Sequence, residues 1–476
     1  MKIAFFSPLN PVQSGISDYS EELLATLAGA KVGGQPLDID IFIDKGYKPS
    51  NRDVIGSFTI LPGSDYRRLS VGYDATIYQM GNSSAHAYIY NELMRSPGIV
   101  VMHEFVLHHL RVWMTLNGGK RKEYISIMEQ RHGPEGREAA RRVLLGQFPE
   151  ALFEYPLSEE VINRAKGIIV HSRYIEDLVR QVRPEVPIAV VPMGVPLPPF
   201  IAKAEARAHL GIDPDLFLVT SVGHLNPYKR VSTTLRAFKA LLMEVPRGLY
   251  LLVGSRSPNY DPTRQIEMLG LSDKVQFTGY VTPQEFPFYL AASDVCLNLR
   301  YPTAGETSAS LLRIMGAGVP VLVSRTGSFE ELPDSAAGKV DIGDIEEELL
   351  LEYLLLLSKR PDLRQSMSHA ARDYVAQHHT LGQAALGYLR FIAPNAEIEL
   401  APQKVENGPR QPDFLPETTD HRPPTPDHPK PTHPFIESIS EAAAEIGITE
   451  QHEAVLNHIS SALEGIVPPL GEDGAR

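Results

Sequence analysis

The sequence predicts an α/β protein built from two doubly wound halves that face a cleft. Three observations carry that prediction. Short apolar, β-branched runs alternate with helical periodicities from Lys2 onward. The alternation breaks at 192–199, which reads P-M-G-V-P-L-P-P, and then restarts. Finally, residues 294–324 compress a strand, a loop with Gly305 and Glu306, a helix and a second strand into one βαβ unit. Such a unit sets a carboxylate and a row of free backbone N–H groups at the carboxyl edge of a parallel sheet, where α/β folds bind ligands.

In chain order, residues 2–7 read as a strand and 8–18 as a loop with Gly15 at its turn, followed by a helix over 19–27. Strands follow at 38–43, 74–79, 99–103, 167–171 and 188–191. The lone Gly15 does not make a G-x-G-x-x-G fingerprint, so a dinucleotide site has little support. Residues 111–142 interrupt the rhythm with eight Lys or Arg against four Glu, and carry Trp113 and Met114. A solvated helix face accounts for this stretch. The alternative is a basic, partly apolar surface for peripheral contact with anionic lipid or an acidic acceptor.

Beyond the linker, strands are expected at 216–222, 249–253, 275–278, 294–299 and 319–323. Helices are expected at 232–244, 263–269, 283–292, 344–358, 361–378 and 382–392. The helix of the compressed unit starts at Thr307 or Ser308, whose hydroxyls are natural N-caps, and ends at Gly316 and Gly318. The expected divisions are an N-terminal domain over 1–195, a C-terminal domain over 196–380 and a closing helix over 381–400. In 401–434, ten of 34 residues are proline, the composition of a disordered linker. Residues 435–476 recover helical periodicity, and 435–466 would suit a protein partner or self-association.

Composition narrows the class. Of 476 residues, 43% are hydrophobic and 22% charged, as in soluble globular proteins. A net charge of −13 argues against general nucleic-acid binding. The one cysteine, Cys296, sits in an apolar strand, and its isolation suits a cytoplasmic protein. No signal peptide is expected, because the chain opens directly on a strand, and no apolar run approaches the roughly 20 residues of a membrane span.

Several strand-end residues could carry chemistry. Residues 221–230 read S-V-G-H-L-N-P-Y-K-R between a strand and a helix. Gly223 permits close backbone approach, and His224 and Lys229 stand where a diphosphate could sit, although a βα-loop lysine is ordinarily a solvated one. His103 ends a strand in V-V-M-H-E-F, and His171 occupies an equivalent place in I-I-V-H-S-R. Each could equally be a strand-end histidine bonded to backbone. His108 and His109 lack further ligand spacing, so no zinc site is expected. Glu306, read alone, could merely complement a helix dipole. No P-loop and no G-x-S-x-G elbow occurs.

Taken together, S-P-L-N-P-V-Q-S-G-I-S-D-Y, H-E-F-V-L-H-H, V-G-H-L-N-P-Y-K-R, F-T-G-Y-V, A-S-D-V-C-L-N-L-R-Y-P-T-A-G-E-T-S and M-G-A-G-V-P-V-L-V-S make residues 1 to about 395 resemble a family-4 glycosyltransferase of the GT-B fold, with two Rossmann-like domains. The family's G-R-x-x-x-x-K motif, whose Arg and Lys hold the leaving diphosphate, resembles Gly223 to Lys229, with His224 in the Arg position. Its base-contacting G-x-V resembles 279–281, including Tyr280 and Val281. The donor-facing His resembles His103, and the glycine loop resembles the surroundings of Gly15. The family's Glu-x7-Glu pair is altered. Arg313 takes the place of the second Glu, which normally grips the ribose, and Glu306 stands one residue after the place of the first. Arg313 is expected to pair with Glu306 or another carboxylate, or to reach a phosphate.

The resemblance implies a nucleotide-sugar-dependent glycosyltransferase that retains anomeric configuration, needs no metal or other cofactor, and acts on an acceptor the residues do not identify. Glu306, His103 and Lys229 would be catalytic. Gly15, Gly223, His224, Lys229, Tyr280, Val281, Thr307, Ser308 and Arg313 would bind the donor. Two rivals stand beside it. A sugar-nucleotide epimerase or hydrolase would need an added acid–base pair. A non-catalytic scaffold on the same fold is favoured by the missing second Glu.

Overall fold

A computed structural model describes residues 1–401 except Gln13, Asn117, Gly118, Pro258 and Asn259. The proline-rich linker and helical tail expected beyond Ala401 lie outside the described residues. Among the described residues, sixteen strands occur in order: β1 (Lys2–Phe6), β2 (Lys31–Val32), β3 (Gln35–Pro36), β4 (Asp38–Ile43), β5 (Thr59–Pro62), β6 (Ala75–Met80), β7 (Ile99–Met102), β8 (Gly167–Val170) and β9 (Ile188–Val190). They continue as β10 (Phe217–Val222), β11 (Gly248–Val253), β12 (Val275–Gly279), β13 (Val295–Asn298), β14 (Val321–Ser324), β15 (Gly338–Val340) and β16 (Ile398–Glu399).

Two parallel sheets result. One runs β5-β4-β1-β6-β7-β8-β9 and the other β12-β11-β10-β13-β14-β15. Helices cover both faces, so the central strands are buried on both sides; every residue of β10 and β11 is buried, Thr220 and Ser221 included. These are two Rossmann-like domains with a cleft between their carboxyl edges. In each sheet the order reverses at one strand, β1 in the first and β10 in the second. Loops diverge there and leave a crevice, so the loops after β1, β6, β10 and β13 are the ones positioned for a ligand.

Some boundaries differ from expectation for local reasons. The first helix runs Gly15–Leu27, four residues earlier than its periodicity suggested, because Ser14 accepts from Ile16 N and caps it. Gly15 is therefore the first helical residue and not the turn. The edge strands β5 and β15 were not anticipated; T-I-L-P and G-K-V are too short or too broken by Pro to show a strand pattern.

The first part of the linker is packed, with Met193, Gly194 and Val195 buried, whereas Pro196, Leu197 and Pro199 are exposed. Val195 N donates to His379 O at 2.9 Å, and His379 Nδ1 donates to Met193 O at 2.9 Å. After the Pro361–His378 helix the chain crosses back to the first domain. There the Leu381–Ile392 helix packs on Gly15–Leu27, Tyr19 and Tyr388 share a hydroxyl contact of 3.1 Å, and β16 pairs with β2.

The interruption at 111–142 is a helical insertion after β7, made of His108–Leu116, Arg121–Leu144 and Ala151–Glu154. Gly133 and Pro134 kink the long helix. The insertion has its own core of Val112, Tyr124, Met128, Val143 and Leu152. Much of its basic excess is engaged locally: Lys120 with Glu123, Arg137 with Glu129, Arg141 with Glu138, and Arg111 and Arg131 with Glu160. Among the described residues, no helix is long and apolar enough to cross a membrane.

Candidate active site

The second domain supplies a glycine corner. β10 and β11 are followed directly by Gly223 and Gly254, and β12 ends at Gly279; their φ angles are 104°, 139° and 70°. Gly223 N donates to Val253 O at 2.8 Å and Gly254 N to Gly279 O at 3.0 Å. A Cβ on Gly254 would stand 2.1 Å from Gly223 O, so no other residue fits this conformation and this approach. A Cβ on Gly279 would meet nothing within 4 Å and one on Gly223 only the Lys229 ammonium, so these two strand ends leave the main chain open to a ligand.

Above this corner the loop after β10 turns through Pro227–Lys229 into the Val231–Glu244 helix. His224 Nδ1 lies 2.8 Å from Ser255 Oγ. Burial, and then the neighbouring Lys229 ammonium, push His224 down to about 4. Lys229 leans toward Gly223, whose absent Cβ would be 3.6 Å from Nζ. Arg230 is committed elsewhere, to a paired contact with Glu346. Tyr280 is 70% exposed just past β12, while Val281 packs partly against the core.

The loop after β13 is a closed knot. The Glu306 carboxylate pairs with the buried Arg300 through Oε1 and accepts from Thr303 Oγ1 at 3.0 Å and Ala304 N at 2.9 Å through Oε2. Burial would raise its pKa, but Arg300 overrides that and holds the carboxyl below the usual carboxylate range. Arg300 in turn donates to Ser324 Oγ through its backbone and to Ser308 Oγ through Nη2. Ser308 caps the Ala309–Gly316 helix by accepting from Leu311 N at 3.3 Å. Glu306 thus shapes the loop, and the first-turn amides beside Thr307 and Ser308 stand at a helix start at the cleft edge.

Arg313 does not meet Glu306. Its guanidinium crosses the cleft to Glu22 of the Gly15–Leu27 helix at 2.5 Å. Glu22 is nevertheless raised above the ordinary carboxylate range, because burial outweighs the arginine's attraction.

The first domain brings His103 to the end of β7, buried, with Nε2 2.7 Å from Gln79 Oε1 at the end of β6. An acceptor oxygen there fixes the proton on Nε2 and leaves Nδ1 as a buried, unpartnered acceptor. Its ring lies 4.9 Å from that of His171 and 5.3 Å from that of Tyr19. Burial first, and then His171 and His86, hold His103 well below its ordinary value. His171 donates through Nδ1 to Val191 O.

Backbone hydrogen bonds stitch these loops together. Tyr301 N donates to Tyr228 O at 2.9 Å, joining the Lys229 and Glu306 loops. Phe105 N and Val106 N both donate to Ala304 O, at 2.8 and 3.2 Å, joining the Glu306 loop to the His103 loop. A Cβ on Gly305 would lie 3.3 Å from Phe105 and 3.4 Å from Tyr174. Glu331 of the second domain accepts from Arg173 N and Tyr174 N, capping the Arg173–Val182 helix of the first. Lys229, Glu306 and His103 are therefore on adjoining loops. Gly15 and Arg313 sit at the first domain's edge and the bridge to it, and Tyr280 and Val281 at the far end of the glycine corner.

Residues 202–374 match the family model described as Glycosyl transferases group 1. The D-inositol 3-phosphate glycosyltransferase of Saccharomonospora viridis is 26% identical over 243 residues, covering 48% of this chain and 56% of that protein. The chain spans about half the length of the curated relatives it matches. Among solved structures, the Anabaena protein Alr3699/HepE in complex with UDP aligns with a TM-score of 0.59 at 14% identity, covering 83% of this chain and all of that one. Sucrose-phosphate synthase from Thermosynechococcus elongatus aligns with a TM-score of 0.56 at 19% identity, covering 82% of this chain and 97% of that one. The fold is GT-B, and the chain resembles the family-4, group 1 glycosyltransferases. In this GT-B frame the glycine corner belongs to the domain that matches the family model. Gln79, Ser255, Arg300 and Glu331 escaped sequence reading, since a single polar residue in a strand or loop has no pattern until its partner is folded beside it.

Proposed function

We propose that this GT-B protein transfers a sugar from a nucleotide-sugar donor to an acceptor held against the first domain. The observation that carries the reading is the meeting of three loops: Lys229 and His224 by the glycine corner, the Glu306 knot at a helix start, and the loop that follows His103, bonded to the Glu306 loop through Ala304 O. In this reading the donor diphosphate lies along Lys229, His224 and the amides near Thr307 and Ser308, which stabilise charge growing on the leaving group. Those groups perform the task without a metal. His103, kept neutral, accepts a hydrogen bond from the transferred sugar through Nδ1. Glu306 acts by holding the loop against that sugar. Retention is assigned to attack on the donor's own face, with the leaving phosphate taking the acceptor's proton. Tyr280 and Val281 contact the base, and the Gly15 end of the first helix adjoins the sugar.

A thermal-shift screen of nucleoside diphosphates and nucleotide sugars tests the reading, because a ligand of the native state must raise the unfolding temperature. At least one nucleotide should do so, and its nucleotide sugar should yield a glycosylated product of retained configuration in the presence of EDTA. A folded chain that responds to no nucleotide would instead be the scaffold.

A further inference from the structure

His224 has one ring nitrogen engaged and one idle. Ser255 meets Nδ1 at 2.8 Å, whereas Nε2 is buried with no hydrogen-bond partner. A hydroxyl can donate to Nδ1, which leaves the Nε2–H tautomer aimed away from Ser255. The charges on the elements around it are few. Lys229 on its own loop lies close to Gly223. Arg256, on the loop after β11, is turned onto the Phe277 ring and the Asp261 carboxylate. Arg230 is paired with Glu346. Burial and Lys229 are the influences that keep the ring neutral, and no carboxylate opposes them.

We propose that His224 takes up one proton from solvent when the diphosphate of a nucleotide sugar enters this loop, so that donor binding is proton-coupled. The inference rests on the transferase reading and deepens it. An anionic oxygen within hydrogen-bond reach of Nε2 favours the imidazolium and offsets both burial and Lys229. The added proton sits on Nδ1, and the Ser255 hydroxyl turns to accept it. One proton leaves the solvent for each diphosphate bound. Affinity then weakens as pH rises through the bound-state pKa of His224, by up to about tenfold per pH unit. A permanently charged group in the same place would show no such dependence.

Calorimetric titration of the full chain with UDP-glucose, GDP-mannose and ADP-glucose decides the matter. Each pH from 5.5 to 8 is run in two buffers of different ionisation heat. These diphosphodiesters do not titrate in that range, so proton exchange reports on the protein. For a donor that binds, uptake should approach one proton at the acidic end and fall as pH rises. His224→Arg should abolish uptake and flatten the affinity profile, and His224→Gln should abolish uptake with weaker binding. Donor binding without proton uptake in the unaltered protein would overturn the proposal, whatever the variants do. Uptake that persists in both variants would overturn it too. A folded chain that binds none of the three, nor any other nucleotide of the thermal-shift screen, would overturn it together with the transferase reading.

Discussion

Glu306 bears on both stability and chemistry because its two oxygens are used differently. Arg300 takes one, and Thr303 and Ala304 take the other. Removing the carboxylate leaves Arg300 buried without its ion-pair partner, so Glu306→Ala should cost about 3–5 kcal/mol at neutral pH. Urea unfolding would measure this. The Arg300 guanidinium holds the pKa of Glu306 below its unfolded value. Its contribution is therefore complete above the unfolded value of about 4.3 and disappears as pH falls through the lower folded value. The gap between parent and variant should close below about pH 4; a gap independent of pH would show that the ion pair is not its source. If donor affinity and sugar transfer survived Glu306→Ala, the loop's role beside the sugar would be wrong. The carboxylate was legible in the sequence as a loop residue before a helix, but Arg300 was not legible as its partner.

At the scale of elements, the glycine corner joins fold to site. Gly254 combines a φ of 139° with a contact that a methyl group would violate. Gly254→Ala should lower stability by at least ~2 kcal/mol and abolish the nucleotide-induced thermal shift, because β10 and β11 must part at their carboxyl ends. An alanine variant that binds nucleotide normally would remove the corner from the site. Most strands and helices were readable, since apolar runs of four to six residues and 3.6-residue periodicity are local properties. The edge strands and the early start of the first helix were not, since they depend on pairing and on one capping side chain.

At the scale of the molecule, the two domains are held by a few polar bridges and a crossover helix. Arg313 with Glu22 and Glu331 with the Arg173–Val182 helix span the cleft. Arg313→Ala together with Glu331→Ala should widen the cleft, seen as a larger radius of gyration in solution scattering, with each domain still folded. An unchanged radius would mean that the crossover and the backbone bonds of Phe105 and Val106 to Ala304 set the domain angle. Ending the chain at Leu400 should leave nucleotide binding unaltered, whereas ending it at Thr380 should expose the face under Tyr19 and Leu23 and unfold the first domain. Circular dichroism and a nucleotide titration distinguish these outcomes.

Acid sensitivity also belongs to the whole molecule. His86 and His171 are pushed down to about 4 and His108 to about 3, all by burial. Each binds a proton more readily when unfolded. Stability should therefore be full above about pH 6.5 and fall by roughly 1.4 kcal/mol per histidine per pH unit as the solution is acidified toward the folded values. A urea midpoint that stays level between pH 7 and 4.5 would contradict this.

The sequence by itself determined two alternating α/β halves, the strand ends that carry Gly223, His103 and Glu306, and the resemblance that orders them. Those features are local in the chain. Only the tertiary structure decided that Arg313 would reach Glu22, that Glu306 would be knotted by Arg300, and that the final helix would return to the first domain. Each of these pairs residues distant in sequence or hidden in a loop. Their partners are chosen by where the sheets' carboxyl edges bring the loops together, a geometry that no local pattern encodes.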